Sequence, residues 1–156
     1  MIKVALKDGS VMEFNKGVTV KEVAESISAG LARAAMACEV DGVIRDLSYS
    51  LNNDCKLNLL TFDDEGGREA YRHTTSHIMA QAVKRLHPDV KLAIGPSIDT
   101  GFYYDFDVKK PFSVEDLEKI EKEMENIIKE DFVLERFTLP RDKAIKFMEE
   151  KGEPYK

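Results

Sequence analysis

The sequence predicts an α+β protein made of two successive units, and three observations predict it. Within residues 1–62, runs with strand character surround a single run with helical spacing, with turn signals between them. A polar stretch containing two glycines follows at 63–68. From residue 69 to 156, apolar residues recur at helical spacing in three blocks separated by short alternating runs. A chain of 156 residues divided in this way gives each unit a modest core.

In the first unit, Ile2-Lys3-Val4-Ala5-Leu6 alternates as a strand, Asp8-Gly9 is a hairpin turn signal, and Val11-Met12-Glu13-Phe14 is the return strand. Asn15-Lys16-Gly17 is a second turn. Thr19 and Glu22 have the spacing of a capping box for a helix that carries Val20, Val23, Ala24 and Ile27, with Gly30 as its stop. Residues 35–40 form a strand, Asp41-Gly42 a turn, Val43-Ile44 a short strand and residues 57–62 the last strand. Two strands, a helix and then further strands is the element order of a β-grasp (ubiquitin-like) unit. Residues 63–68, with Gly66-Gly67, read as a flexible linker.

In the second unit, Tyr71, Thr74, Ile78, Ala82, Val83 and Leu86 mark a helix that Pro88 ends. Residues 90–94 form a short strand and Gly95-Pro96 a turn. Phe102, Tyr104 and Phe106 alternate with Tyr103, Asp105 and Asp107 as a strand with two faces. Ser113, assisted by Asp116, caps a helix whose stripe of Val114, Leu117, Ile120, Met124, Ile127 and Ile128 reads as core. Residues 132–137 form another strand. Pro140 opens a last helix and Gly152 ends it. The chain then stops with no strand to close on, which reads as a protein cut rather than finished.

Composition excludes several classes. The net charge of −6 argues against strong, non-specific nucleic-acid binding, which needs a surplus of lysine and arginine, although a local basic patch could still hold RNA. No apolar run reaches the roughly 18 residues of a membrane span, and the N-terminus lacks the apolar block of a signal peptide. Cys38 and Cys55 form no Cys-x-x-Cys pair and are expected as reduced thiols in a cytoplasmic protein.

The residues with most chemical content are His73 and His77 in Arg72-His73-Thr74-Thr75-Ser76-His77. Four residues apart on a helix, both imidazoles stand on one face, one turn apart. A zinc protease needs a glutamate directly after the first histidine, where Thr74 stands. A zinc site needs three or four ligands, and the second unit offers only His87 as a further nitrogen and no cysteine. Ser76, adjacent in sequence to His77, is not presented to it as a nucleophile. On composition alone, the pair reads equally well as two ordinary helix residues.

Four stretches read together change that balance. His73-Thr74-Thr75-Ser76-His77, Leu92-Ala93-Ile94-Gly95-Pro96, Gly101-Phe102-Tyr103-Tyr104-Asp105-Phe106-Asp107 and Gly152-Glu153-Pro154-Tyr155-Lys156, behind a β-grasp unit, resemble the N-terminal region of threonyl-tRNA synthetases over essentially the whole chain. The resemblance implies a TGS domain at residues 1–62, a linker at 63–68, and at 69–156 the first, incomplete part of an α+β editing domain of the threonyl/alanyl-tRNA synthetase type. It also implies partners: tRNA(Thr), met through its 3′-terminal adenosine and amino-acid ester, no membrane, and a homodimer only in the full-length enzyme.

Such an enzyme needs editing because serine is threonine without one methyl group, a difference worth only about 1–3 kcal/mol in binding. By the resemblance, His73 positions or activates the water that attacks seryl-tRNA, directly or through the terminal ribose hydroxyl. Lys156 orients water or stabilises negative charge, although in a chain ending there it is expected to be frayed. His77 shapes the site and binds substrate. Gly95 and Tyr104 contact the amino acid or the adenosine, with core packing the equal alternative for Tyr104. Asp105 and Asp107 are expected as surface or turn partners. The family's downstream Cys-x-x-x-His segment is absent, so little or no hydrolysis is expected of this chain alone. No cofactor is expected in this region. ATP, Mg and Zn belong to the absent catalytic domain. Two alternatives stay open: a non-catalytic tRNA-binding module, and a zinc-dependent editing domain of the alanyl type.

Overall fold

The computed structural model describes residues 1–156, which divide into two compact units, Met1–Tyr71 and Arg72–Lys156. The first contains β1 (Ile2–Leu6), β2 (Val11–Phe14), β3 (Val18–Thr19), α1 (Val20–Ile27), α2 (Ala29–Ala34), β4 (Ala37–Val40), β5 (Val43–Arg45), β6 (Ser50–Leu51) and β7 (Cys55–Leu60). Five strands form one mixed sheet in the order β2-β1-β7-β4-β5, and β3 pairs with β6. β1 and β7 run parallel, with Val4 beside Cys55 and Leu6 beside Leu57, and the other neighbours are antiparallel. This is the β-grasp arrangement the element order predicts.

The period of two in β1 puts Ile2 and Val4 on the buried face. They pack with Val20 and Val23 of α1, Cys38 of β4, Leu51 of β6 and Leu57 of β7. Side chains of this size each contribute about 1.5–3 kcal/mol on full burial. Burial pushes the Cys38 thiol up to about 11, so it stays protonated near neutrality, and Cys38 and Cys55 are both free. Asp41 and Gly42 both take positive φ, the geometry a two-residue turn needs to set Val40 against Val43.

The capping box of α1 forms as its spacing predicts. The Thr19 hydroxyl accepts from the Glu22 N–H at 3.2 Å, and the Glu22 carboxylate accepts from the Thr19 N–H at 2.7 Å. The predicted stop at Gly30 is wrong. Ser28, in extended conformation, ends α1, and its hydroxyl accepts from the Leu31 N–H at 3.0 Å. That bond satisfies an otherwise orphaned donor and starts α2, which contains Gly30.

The reading of 63–68 as a flexible linker also needs correction, because α3 (Glu65–Leu86) already includes Gly66 and Gly67. The Asp64 carboxylate accepts from the Thr61 N–H at 2.8 Å, and the Arg68 N–H continues the turn to Asp64 O. A Cβ on Gly67 would lie 1.8 Å from Thr61 O, so this glycine serves close approach of backbone to backbone. The boundary between the compact units falls inside α3, after Tyr71.

The second unit adds β8 (Lys91–Leu92), β9 (Ser97–Ile98), β10 (Gly101–Phe102), β11 (Phe106–Asp107), α4 (Val114–Glu130) and α5 (Arg141–Glu150) to the rest of α3. β8 pairs with β11 and β9 with β10, each pair antiparallel. The two longer strands predicted over 90–94 and 102–107 survive only as these pieces. Between them Asp105 bridges the gap, donating to Ile94 O at 2.7 Å and accepting from the Ala93 N–H at 3.0 Å. Ala82, Val83, Val90, Ile120 and Ile127 form the core, with Phe106, Phe112 and Met124 packed against it.

Ser113 and Asp116 cap α4 reciprocally, as predicted. Only part of the expected stripe is core, because Val114, Leu117 and Ile128 are exposed. The strand predicted over 132–137 does not form, and Phe132, Val133, Leu134 and Phe137 face solvent. Alternation marks a segment able to be a strand, but a strand needs an edge to pair with, and none of the sheets includes this segment. No helix is long and apolar enough to cross a membrane.

Candidate functional site

The helical spacing of four brings His73 and His77 into direct contact. Their Nε2 atoms are 3.0 Å apart and the rings meet edge to face, with centroids 4.6 Å apart. One imidazole must donate and the other accept, so the pair holds together while at least one is neutral. Burial of the ring, helped by the neighbouring His73 and by the Lys156 ammonium, holds His77 below the ordinary imidazole range. His77 is therefore a neutral partner at pH 7, free to accept from or donate to its neighbour.

Ser76 faces the other way. It is fully buried, and its Oγ lies 2.7 Å from His73 O and 2.9 Å from Gly95 O. The hydroxyl proton goes to one of these carbonyls, so Ser76 ties the Gly95 loop to α3 and offers His77 nothing. A Cβ on Gly95 would lie 2.0 Å from Cδ2 of Tyr104, so only glycine allows the ring to lie across this backbone. Tyr104 stacks on Phe106 with centroids 4.9 Å apart and stands 6.4 Å from the His77 ring. Tyr104 thus packs on Phe106, the packing alternative, while its ring also stands beside His77.

Lys156 is not frayed. Its Nζ donates to Ala93 O and lies 5.1 Å from the Tyr104 ring centroid, close enough for a cation–π contact. The residues before it are also held. Gly152 O accepts from Lys91 Nζ at 2.9 Å, Glu153 accepts from the Leu92 N–H at 3.0 Å and pairs with Lys84 at 2.7 Å, and the Tyr155 hydroxyl donates to Asp107 at 2.9 Å. Asp107 thus acts as a partner, as expected. The structure brings all five predicted residues into one chain of contacts: His73 to His77, His77 to Tyr104, Tyr104 to Lys156 and to Gly95. Beside it a cleft of about 620 Å³ is lined by His77, Leu92, Tyr104, Phe147, Met148 and Lys156, among others.

Three residues of this architecture escape sequence reasoning. Ser76 had a signal, since it shares helical spacing with the buried Ala80 and Val83. Lys84 had none, and Glu153, though inside the stretch 152–156, gave no sign of its partners, which lie 61 and 69 positions away along the chain. The pair supplies two imidazoles, and within this chain no group of three His, Cys, Asp or Glu side chains is placed to hold an ion, where zinc takes three or four ligands.

Residues 2–61 match the TGS domain family model. Over all 156 residues the chain is 78% identical to the threonine–tRNA ligase of Acetivibrio thermocellus, covering 25% of that protein, and 56% identical to that of Clostridium kluyveri, covering 24%. It is 58% identical over 153 residues, 98% of its length, to the threonine–tRNA ligase of Caldanaerobacter subterraneus subsp. tengcongensis, again covering 24%. The chain thus spans about a quarter of the length of these curated relatives. With its β-grasp fold and this match, the chain opens with a TGS domain and is similar from end to end to the N-terminal region of threonine–tRNA ligases.

Proposed function

We propose that the second unit supplies part of a hydrolytic editing site that removes serine from mischarged seryl-tRNA(Thr), while the TGS domain helps to hold the tRNA. The full-length protein would join threonine to tRNA(Thr) with ATP, using Mg and Zn in parts beyond this chain. The observation that carries the reading is the contact chain from His73 through His77 and Tyr104 to Lys156. It sets a proton acceptor and a cation along one chain of contacts beside a cleft, which is what ester hydrolysis requires.

In the reaction, water oxygen attacks the ester carbonyl carbon. Its proton passes to His73, directly or through the neighbouring ribose hydroxyl. Negative charge gathers on the carbonyl oxygen, where the Lys156 ammonium stabilises it. Collapse breaks the bond to the ribose oxygen, which takes the proton back, and serine and tRNA separate. His77, neutral and hydrogen-bonded to His73, fixes that ring in place. The remaining groups of the site would come from sequence beyond this chain, so the 156-residue chain is expected to hydrolyse little.

The test is deacylation of seryl-tRNA(Thr) and threonyl-tRNA(Thr), by this chain and by a protein continued to the length of its relatives. The longer protein should release serine selectively and the short one should not. His73→Ala in the longer protein should slow release by about 10²–10⁴-fold. If neither protein hydrolyses the seryl ester while both bind tRNA, the region is a binding module and the histidines carry no chemistry.

A further inference from the structure

Glu153 is among the most enclosed polar residues of the second unit, at 9% exposure, and the editing chemistry proposed above does not use it. Its two carboxylate oxygens are divided between two partners. One accepts from the Leu92 N–H of β8 at 3.0 Å, and the other pairs with the Lys84 ammonium of α3 at 2.7 Å. Burial alone would raise its pKa, but the hydrogen bonds from Lys84 and the Leu92 N–H outweigh burial and hold it below the ordinary carboxylate range. Glu153 therefore stays charged at neutral pH. Lys84 is itself anchored, donating to Val90 O at 2.7 Å.

This anchor lies three residues before Lys156, whose Nζ donates to Ala93 O, the carbonyl of the residue next to Leu92. Gly152, at φ +68°, turns the chain out of α5 so that Glu153 can reach β8. We propose that Glu153 is a positioning residue: its carboxylate, clamped between Lys84 and the Leu92 N–H, lays residues 153–156 along β8 and so sets the Lys156 ammonium on the Tyr104 ring. The proposal rests on the editing reading for its catalytic meaning but not for its structural content. After Glu153, Lys156 is tethered by the Tyr155–Asp107 bond and by its own contacts.

Two measurements test it. In this chain, the ε-methylene protons of Lys156 should carry a ring-current shift from Tyr104, whose centroid is 5.1 Å from Nζ. Glu153→Gln keeps an acceptor for the Leu92 N–H but loses the charge that pairs with Lys84. It should return those protons to their unstructured position while the amide signals of α3 and β8 stay in place. An unchanged Lys156 shift overturns the proposal, whatever the enzymology shows. Should Glu153→Gln unfold the unit, Glu153→Asp, shorter by one methylene, is read in the same way.

In the longer protein, Glu153→Gln should lower kcat for seryl-tRNA hydrolysis by roughly tenfold to a hundredfold with KM little changed, as expected for a displaced charge. Lys156→Ala should cost at least as much, and adding Glu153→Gln to it should cost nothing further. If Lys156→Ala leaves hydrolysis intact while Glu153→Gln still releases the Lys156 signal, the positioning holds and the assigned role of Lys156 in editing fails.

Discussion

The two units spend the same kind of sequence differently. In the first, three- to six-residue strands meet in one five-stranded sheet, and Ile2, Val4, Val20, Val23, Cys38, Leu51 and Leu57 close into one buried core. In the second, strands of two residues are held as much by side-chain ties as by ladder bonds, and Val114, Leu117, Ile128 and most apolar residues of 132–137 stand in water. The first unit is thus built around packing. The second is built around placement, where Ser76, Gly95 and Glu153 each fix one side of a set of polar groups. The contrast teaches that burial and local regularity alone do not single out the candidate site. The convergence of long-range polar contacts does.

The strongest way to break the comparison is at Leu57, 2% exposed in the first core. Leu57→Ala should destabilise that unit by about 2–5 kcal/mol, read by residue-resolved hydrogen exchange, and a cost below about 1 kcal/mol would mean the core is not close-packed. Next are the glycines at the start of α3. Gly67→Ala drives a methyl into Thr61 O and should cost about 1–3 kcal/mol in thermal or denaturant unfolding. Gly66→Ala meets only the mobile ends of Leu60 and Ile44, at 3.0 and 3.2 Å, and gains helix propensity of about 1 kcal/mol, so it should be near neutral. Equal effects would restore the flexible-linker reading.

In the second unit, Ser76→Ala removes a buried donor shared between two carbonyls and should cost about 1–3 kcal/mol, with chemical-shift changes at Gly95 and Tyr104 larger than at Ala82. Val133→Ser, at a residue 92% exposed, should change stability by no more than about 0.5 kcal/mol. A large loss there would show that the 132–137 segment packs after all.

Much of the fold was legible because its signals are local. The capping boxes of α1 and α4 are formed by residues three apart, the Asp41-Gly42 turn by adjacent ones, and the His73/His77 contact by one helical turn. The misreadings have three different causes. Gly66 and Gly67 look like a joint, but both lie in α3, and at Gly67 the Thr61 backbone needs the space a side chain would fill. Residues 132–137 alternate like a strand, but no edge receives them. Gly30 looks like a stop, but Ser28 supplies the cap that restarts the helix.

By itself, the sequence determined the α+β class, the β-grasp order of the first unit, most helix ends and the shared face of the two histidines. Each follows from backbone periodicity or from a hydrogen bond spanning a few residues. Only the tertiary structure decided that Tyr104 lies across Gly95, that Lys156 is docked on Ala93 O, and that Glu153 is clamped by Lys84 and Leu92. Those contacts join residues 9 to 69 positions apart, and their energy exists only once both partners have been brought together and withdrawn from water.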